Sequence, residues 1–158
     1  MQSQTLKVYN IVHDSIVDGT GLRTVIFFAG CPHKCKGCHN PTMWDIDNGF
    51  DMTTDEIITE LATNPLSQGV TFSGGEPLLQ AESLLLLVHK LKASDTNLWC
   101  YTGYTIEEII SENDKNKIDI VNLCDVIVDG RFEEDKRDLS LTFKGSSNQR
   151  ILYKNKDY

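Results

Sequence analysis

The segment Arg23–Pro41, RTVIFFAGCPHKCKGCHNP, decides how the rest of the chain is read. It opens with Val, Ile and two Phe and lacks the alternation of a half-exposed strand, so Arg23 to Ala29 predicts a buried strand. Cys31, Cys35 and Cys38 follow at CxxxCxxC spacing on the loop that leaves it. Three thiolates on so short a segment can converge on one point, which is a ligand arrangement rather than a disulfide arrangement. A site closed for structural reasons normally recruits four ligands, whereas three leave a metal position open for chemistry. The expectation is an iron–sulfur cluster with one iron left for a substrate. Zinc completed by His33 or His39 is the rival reading, because Cys₃His sites are well precedented. Such sites often pair two short knuckles, and no second Cys pair of that kind follows. Cys100 and Cys124 are expected on strands, as buried small hydrophobes without a close partner.

Outward from this segment the chain alternates strand and helix. Leu6 to Val12 predicts an entering strand, and Asp18-Gly19-Thr20-Gly21 a turn before the buried strand. Downstream, Thr53-x-x-Glu56 is a capping box that opens a helix with Ile57, Ile58 and Leu61 on one face. Gly69 to Ser73 is a short strand that ends on Gly74-Gly75-Glu76-Pro77. A helix runs from about Ala81 to Lys92, with Leu84, Leu87, Val88 and Leu91 at helical spacing. Asn97 to Thr102 is a third strand; Thr105-x-x-Glu108 caps a helix expected to bury Ile106, Ile109 and Ile110. Asp125 to Val128 is a fourth strand before Asp129-Gly130, and the run Glu133 to Asp138 reads as a solvated loop. A last strand is expected near Ile151, with the polar Gly145–Arg150 stretch beside it.

This order predicts an α/β fold built of βαβ units on a parallel sheet. There are too few units for a closed eightfold barrel, so the expectation is a partial, open (β/α) barrel formed by one domain, residues 1–158. In such folds the carboxyl ends of the strands share one edge, where ligands bind. The cysteine loop and the loops starting at Gly74, Thr102 and Asp129 would therefore line one mouth.

Composition narrows the function classes. With 40% hydrophobic residues, the 158-residue chain carries enough apolar material for a core without a metal staple. A net charge of −8 argues against a nucleic-acid partner held by a broad basic surface, although Lys34 and Lys36 make the cysteine loop locally cationic. No signal-peptide pattern and no apolar run of membrane-spanning length is visible, so no membrane association is expected. Three of the five cysteines are clustered, which suits a reducing compartment; the cytoplasm is the expected location. His13 and His89 lie in no recognised constellation, and Trp44 and Trp99 are expected to serve packing.

A CxxxCxxC loop after one strand, with Gly74-Gly75-Glu76-Pro77 after the next, resembles the radical S-adenosylmethionine superfamily. The resemblance implies a 4Fe–4S cluster held by Cys31, Cys35 and Cys38, with S-adenosyl-L-methionine on the fourth iron. Gly74, Gly75 and Glu76 would contact that cofactor, as would Gly37, Cys38 and His39. Many superfamily members place an aromatic residue before the third cysteine; Gly37 stands there in this chain, so a backbone contact over Gly37 to His39 is expected.

The segment from Asp18 to Arg23, DGTGLR, is similar to the DGxGxR stretch of the glycyl-radical-enzyme activases. Tyr101–Tyr104, Val128–Phe132 and Gly145–Arg150 resemble segments of one branch of that family, whose members act on anaerobic ribonucleoside-triphosphate reductase. This implies reductive cleavage of S-adenosyl-L-methionine to a 5′-deoxyadenosyl radical, which generates a glycyl radical on the reductase. An external one-electron donor such as flavodoxin would supply the electron. The alternatives are activation of another glycyl radical enzyme such as pyruvate formate-lyase, or a non-catalytic zinc-binding interaction module.

Overall fold

The computed structural model describes residues 5–38 and 41–158. Among them are seven strands and four α-helices, arranged as an open, mixed α/β sheet. The strands are β1 (Thr5–Ser15), β2 (Arg23–Phe28), β3 (Phe50–Thr53), β4 (Val70–Gly74), β5 (Leu98–Tyr101), β6 (Val126–Asp129) and β7 (Arg150–Tyr153). The helices are α1 (Thr54–Ala62), α2 (Ala81–Ala93), α3 (Ile106–Glu112) and α4 (Lys115–Leu123). The spatial order is β3-β1-β2-β4-β5-β6-β7.

The centre of the sheet, β2-β4-β5-β6, is parallel, as the alternating pattern predicts. Its flanks are antiparallel: β1 pairs with both β2 and β3, and β7 returns along β6. The flanks were the less legible part. Strand β3 and helix α4 have no counterpart in the sequence reading, because β3 spans four residues and α4 interleaves Lys, Asn and Asp with its apolar positions. What starts α4 is Asp114, whose carboxylate accepts from the amides of Asn116 and Lys117. The capping boxes at Thr53/Glu56 and Thr105/Glu108 both form, as the S/T-x-x-E spacing requires.

The register explains where the core sits. Ile26, Phe72, Cys100 and Ile127 are aligned across the parallel strands and point to the helices. There they meet Ile57, Leu84, Leu87, Val88, Ile109 and Ile120 in one buried cluster. Successive strand residues face opposite sides, so Val25, Thr71, Trp99 and Val126 form the neighbouring row on the other face. Trp99, Val126 and Val128 make a separate small cluster there, to which Tyr101, Phe143 and Ile151 add but no helix contributes.

Two expectations are corrected. Ile110 is 62% exposed, because α3 is a single short helix whose inward face is already taken by Ile106 and Ile109. Cys124 is the C-cap of α4 rather than a strand residue, and its thiol is hydrogen-bonded to that of Cys100. That hydrogen bond, and burial after it, pushes the Cys100 thiol well above its ordinary range.

The face without helices is plugged at one end by Arg23, which is 2% exposed. Its guanidinium donates to Thr71 Oγ1 (2.9 Å) and to the carbonyls of Thr20, Val70 and Asn97 (3.0–3.1 Å), and it lies over the Trp99 ring. A Cβ on Gly69 would sit 2.6 Å from Arg23 Nη2, so the chain has room for this side chain only because Gly69 is bare. Burial lowers the Arg23 pKa to about 10, which leaves it charged at neutral pH. The DGTGLR stretch thus runs from Asp18 at the cavity that the cysteines share to a buried cation, Arg23, at the amino end of the sheet.

Candidate functional site

At the carboxyl end of the parallel strands the same face opens into a cavity of about 360 Å³. All four loops expected at one mouth contribute to it: Cys31, Cys35 and Cys38 after β2, Gly74 and Gly75 at the end of β4, Thr102 and Gly103 after β5, and Gly130 to Phe132 after β6. Leu141, Phe143, Lys144, Gly145 and Gln149 close one side, and Val17 and Asp18 another. A parallel sheet covered by helices on one face leaves this edge accessible, which is why the loops meet here.

The cysteine loop is held by short backbone contacts. Gly30 N–H donates to Met43 O at 2.6 Å, Cys31 N–H to Trp44 O at 3.0 Å, and Cys38 N–H to Cys35 O at 3.1 Å. Gly30 and Gly37 take positive φ, 96° and 74°, which admits glycine at little cost. At Gly37 a Cβ would also run into the Glu134 side chain, 2.9 Å from its Cδ. His39, expected beside the cofactor, lies outside the described residues.

Each of the three cysteines is partly exposed, and none of the five in the chain is in a disulfide. Burial pushes the Cys31 thiol up, opposed by backbone N–H groups of His33 and Lys34 and reinforced by the Glu76 charge. Burial also raises Cys35, opposed by a backbone hydrogen bond from Phe132 and by the Arg131 charge. Thiols in such surroundings become thiolates when a cation compensates them, which is the chemistry of iron ligation. Among the described residues no three His, Cys, Asp or Glu side chains close on one metal-ion position. A polynuclear cluster spreads its thiolates over several irons and does not need that closure. One further feature fits an occupant: Trp44 lines the cavity, and its Nε1–H is shielded from solvent without a hydrogen-bond partner. Such orphans are rare, and leaving one unmade costs about 1–3 kcal/mol. The residues present therefore suit a thiolate-held cluster.

The glycine pair is required by the neighbouring strand. Gly75 N–H donates to Phe28 O at 2.9 Å and Glu76 N–H to Gly30 O at 2.7 Å. A Cβ on Gly74 would strike the Phe28 backbone, and one on Gly75 the Gly30 carbonyl. The pair thereby stitches the end of β4 to the start of the cysteine loop and presents its backbone to the cavity.

Glu76 lies behind this wall and is fully buried. Its carboxylate accepts from His33 Nε2 (2.7 Å), Gly103 N–H (2.7 Å), Leu78 N–H (3.0 Å) and the Thr102 hydroxyl (2.9 Å). Every one of these donors belongs to the protein. Sequence reasoning missed this arrangement: His33 drew attention only as a zinc ligand, and nothing local places it against Glu76, 43 residues away. Both ring nitrogens of His33 are engaged, Nδ1 accepting from Arg131 Nε at 3.2 Å. The ring is therefore not turned toward the thiols, which weakens the zinc reading.

Comparison with known proteins adds the family. A family model described as a 4Fe–4S single cluster domain matches residues 17–152. An anaerobic ribonucleoside-triphosphate reductase-activating protein of Haemophilus influenzae is 37% identical over 144 residues, 86% of this chain and 90% of its own. The proteins of that name from Escherichia coli K12 (37% over 142 residues; 85% and 90%) and Pasteurella multocida (38% over 151 residues; 90% and 94%) are equally similar. The chain belongs to the anaerobic ribonucleoside-triphosphate reductase-activating protein family. As a family member it carries a 4Fe–4S domain, and the cysteine cavity lies within the matched residues. No helix among the described residues is long and apolar enough to cross a membrane.

Proposed function

We propose that this chain activates anaerobic ribonucleoside-triphosphate reductase by generating a glycyl radical on it. One observation carries the reading: three thiols and the backbone of Gly74 and Gly75 share one cavity at the strand ends. The family name and the 4Fe–4S domain agree with it.

In this reading Cys31, Cys35 and Cys38 each hold one iron of a 4Fe–4S cluster, and S-adenosyl-L-methionine binds at the remaining iron. The open sheet then corresponds to the partial barrel of the radical S-adenosylmethionine type, as a single domain. When bound, the cluster supplies one electron to the cofactor's sulfonium, whose cleavage yields the 5′-deoxyadenosyl radical that takes hydrogen from glycine. The protein's part is positioning and exclusion of water. Gly74 and Gly75 give the cofactor a backbone edge to lie against, and the backbone contact expected over Gly37 to His39 would add a second. Glu76, facing inward, supports that edge through Gly103 and His33. Lys144 brings a positive charge to the cavity wall, whereas Arg131 beside it is already paired with Glu108. The apolar side chains Val17, 67% exposed, and Leu141 line the same cavity and suit the entry of a peptide segment. Hydrogen abstraction needs the reacting atoms within roughly 3–3.5 Å, so the reductase's glycine segment must reach the cavity floor.

The electron donor would be an external one-electron carrier such as flavodoxin, and the site of action the cytoplasm. The test is anaerobic: reconstitute the protein with iron and sulfide, reduce it with S-adenosyl-L-methionine and the reductase, and record electron paramagnetic resonance. A glycyl radical on the reductase is the expected result. Cofactor cleavage with a radical on pyruvate formate-lyase alone would redirect the reading within the family of activases, and a colourless protein holding zinc would overturn it.

A further inference from the structure

The hydrogen-bond chain behind the cavity extends past Glu76. Arg131 donates from Nε to His33 and from both terminal nitrogens to Glu108, the residue that closes the capping box of α3. His33 passes the chain on to Glu76, and Glu76 to Thr102 and Gly103. The loops after β2, β4 and β6 thus meet at one imidazole, and the loop after β5 joins them through Glu76.

The partners determine the state of the ring. Arg131 Nε–H can only donate, so His33 Nδ1 accepts; the Glu76 carboxylate only accepts, so His33 Nε2 carries the proton. The ring is also gripped sterically. The Tyr104 ring meets it edge-on at 4.6 Å between centroids, and Tyr104 is itself covered by Lys117, whose Nζ lies 4.4 Å from the Tyr104 centroid. Gly103 leaves the necessary space: a Cβ there would be 2.5 Å from His33 Cδ2. The His33 side chain is 5% exposed although its neighbours Pro32 and Lys34 are at the surface. A histidine placed two residues from each of Cys31 and Cys35 cannot move without dragging both.

We propose that His33 is a positioning residue for the three-cysteine loop, and that Glu76 serves the site through His33 rather than by touching the cofactor. The proposal rests on the cluster reading given above. Residues that orient metal ligands from behind change metal affinity by about 10–100-fold when removed, and the clamp acts at that level. Its buried carboxylate is matched by donors on every side, which makes the geometry unique rather than adjustable.

The experiment is a double-mutant cycle on the reconstituted protein, with iron loss to a chelator as the readout and activity left aside. His33→Ala and Glu76→Gln each speed iron loss by about 10-fold or more, and the double variant loses iron no faster than the worse single one. Multiplication of the two effects overturns the proposal, because it makes Glu76 and His33 independent. At equal iron content, His33→Ala broadens or shifts the resonance of the reduced cluster, a change that a remote loss of stability would not produce; an unchanged signal also overturns it. Circular dichroism and melting of the metal-free variants verify folding. Nitrogen-15 spectra of the metal-free wild type test the clamp without any cluster: the expected signal is the Nε2-protonated tautomer. The Nδ1-protonated form in a protein that holds iron overturns the clamp alone, whereas the expected tautomer in a protein that takes up no iron overturns the cluster reading and the role with it.

Discussion

The two faces of the sheet are made by the same strands and do opposite work. On one, Ile26, Phe72, Cys100 and Ile127 are sealed under four helices. On the other, Arg23 and Trp99 fill the amino end and the carboxyl end stays open as the cavity. The cysteines divide in the same way: Cys100 and Cys124 are fully buried free thiols lying side by side, while Cys31, Cys35 and Cys38 are half-exposed on a loop. Alternation along a strand therefore separates stability from chemistry within single residues' distance. The covered face should answer to volume, and the open face to the identity of particular polar atoms.

The sharpest way to break this division is Cys31→Ala. We expect complete loss of the cluster, measured as iron and sulfide per chain, with the melting temperature of the metal-free protein nearly unchanged; Cys100→Ala should retain its iron. Next in size is Leu84→Ala on the inward face of α2, which removes a fully buried side chain. Denaturant unfolding should show a loss of about 2–5 kcal/mol, with iron content of the folded protein unaltered. Loss of iron in proportion would mean that the faces are not separable.

Arg23→Leu probes the boundary, since this residue lies on the open face but acts structurally. Its removal leaves three backbone carbonyls and Thr71 without their donor, for an expected cost of about 2–3 kcal/mol in denaturant unfolding. The smallest effect is expected from Trp44→Phe: in the metal-free protein no hydrogen bond is lost and the unpaired N–H is removed, which offsets the lost ring volume, so denaturant unfolding should show no net destabilisation. If that N–H donates to a cluster sulfur, the midpoint potential measured by redox titration should fall in the variant, as hydrogen bonds to sulfur raise it.

Much of this was readable beforehand, for local reasons. Capping boxes, the buried run before Gly30 and the leucines of α2 are signals confined to a few residues, and each element formed where its pattern lies. The parallel centre followed from strand–helix alternation. The antiparallel pairing of the flanks did not: strands at Leu6–Val12 and near Ile151 were expected, but their direction, and β3 itself, depend on the partner each lies against. Ile110 shows the same limit from the other direction: its helical spacing was sound, yet whether a face is covered depends on what packs there.

By itself the sequence determined the ligand types, their spacing and the strand-end loops that carry them, since these follow from chain order and residue chemistry. Tertiary structure decided which polar atoms meet. It turned Glu76 inward, gave His33 to Arg131 and Glu76, and left the Trp44 N–H without a partner. Those pairings join residues up to 98 positions apart, and hydrogen bonds depend on distances of a few tenths of an ångström that only the packed fold sets.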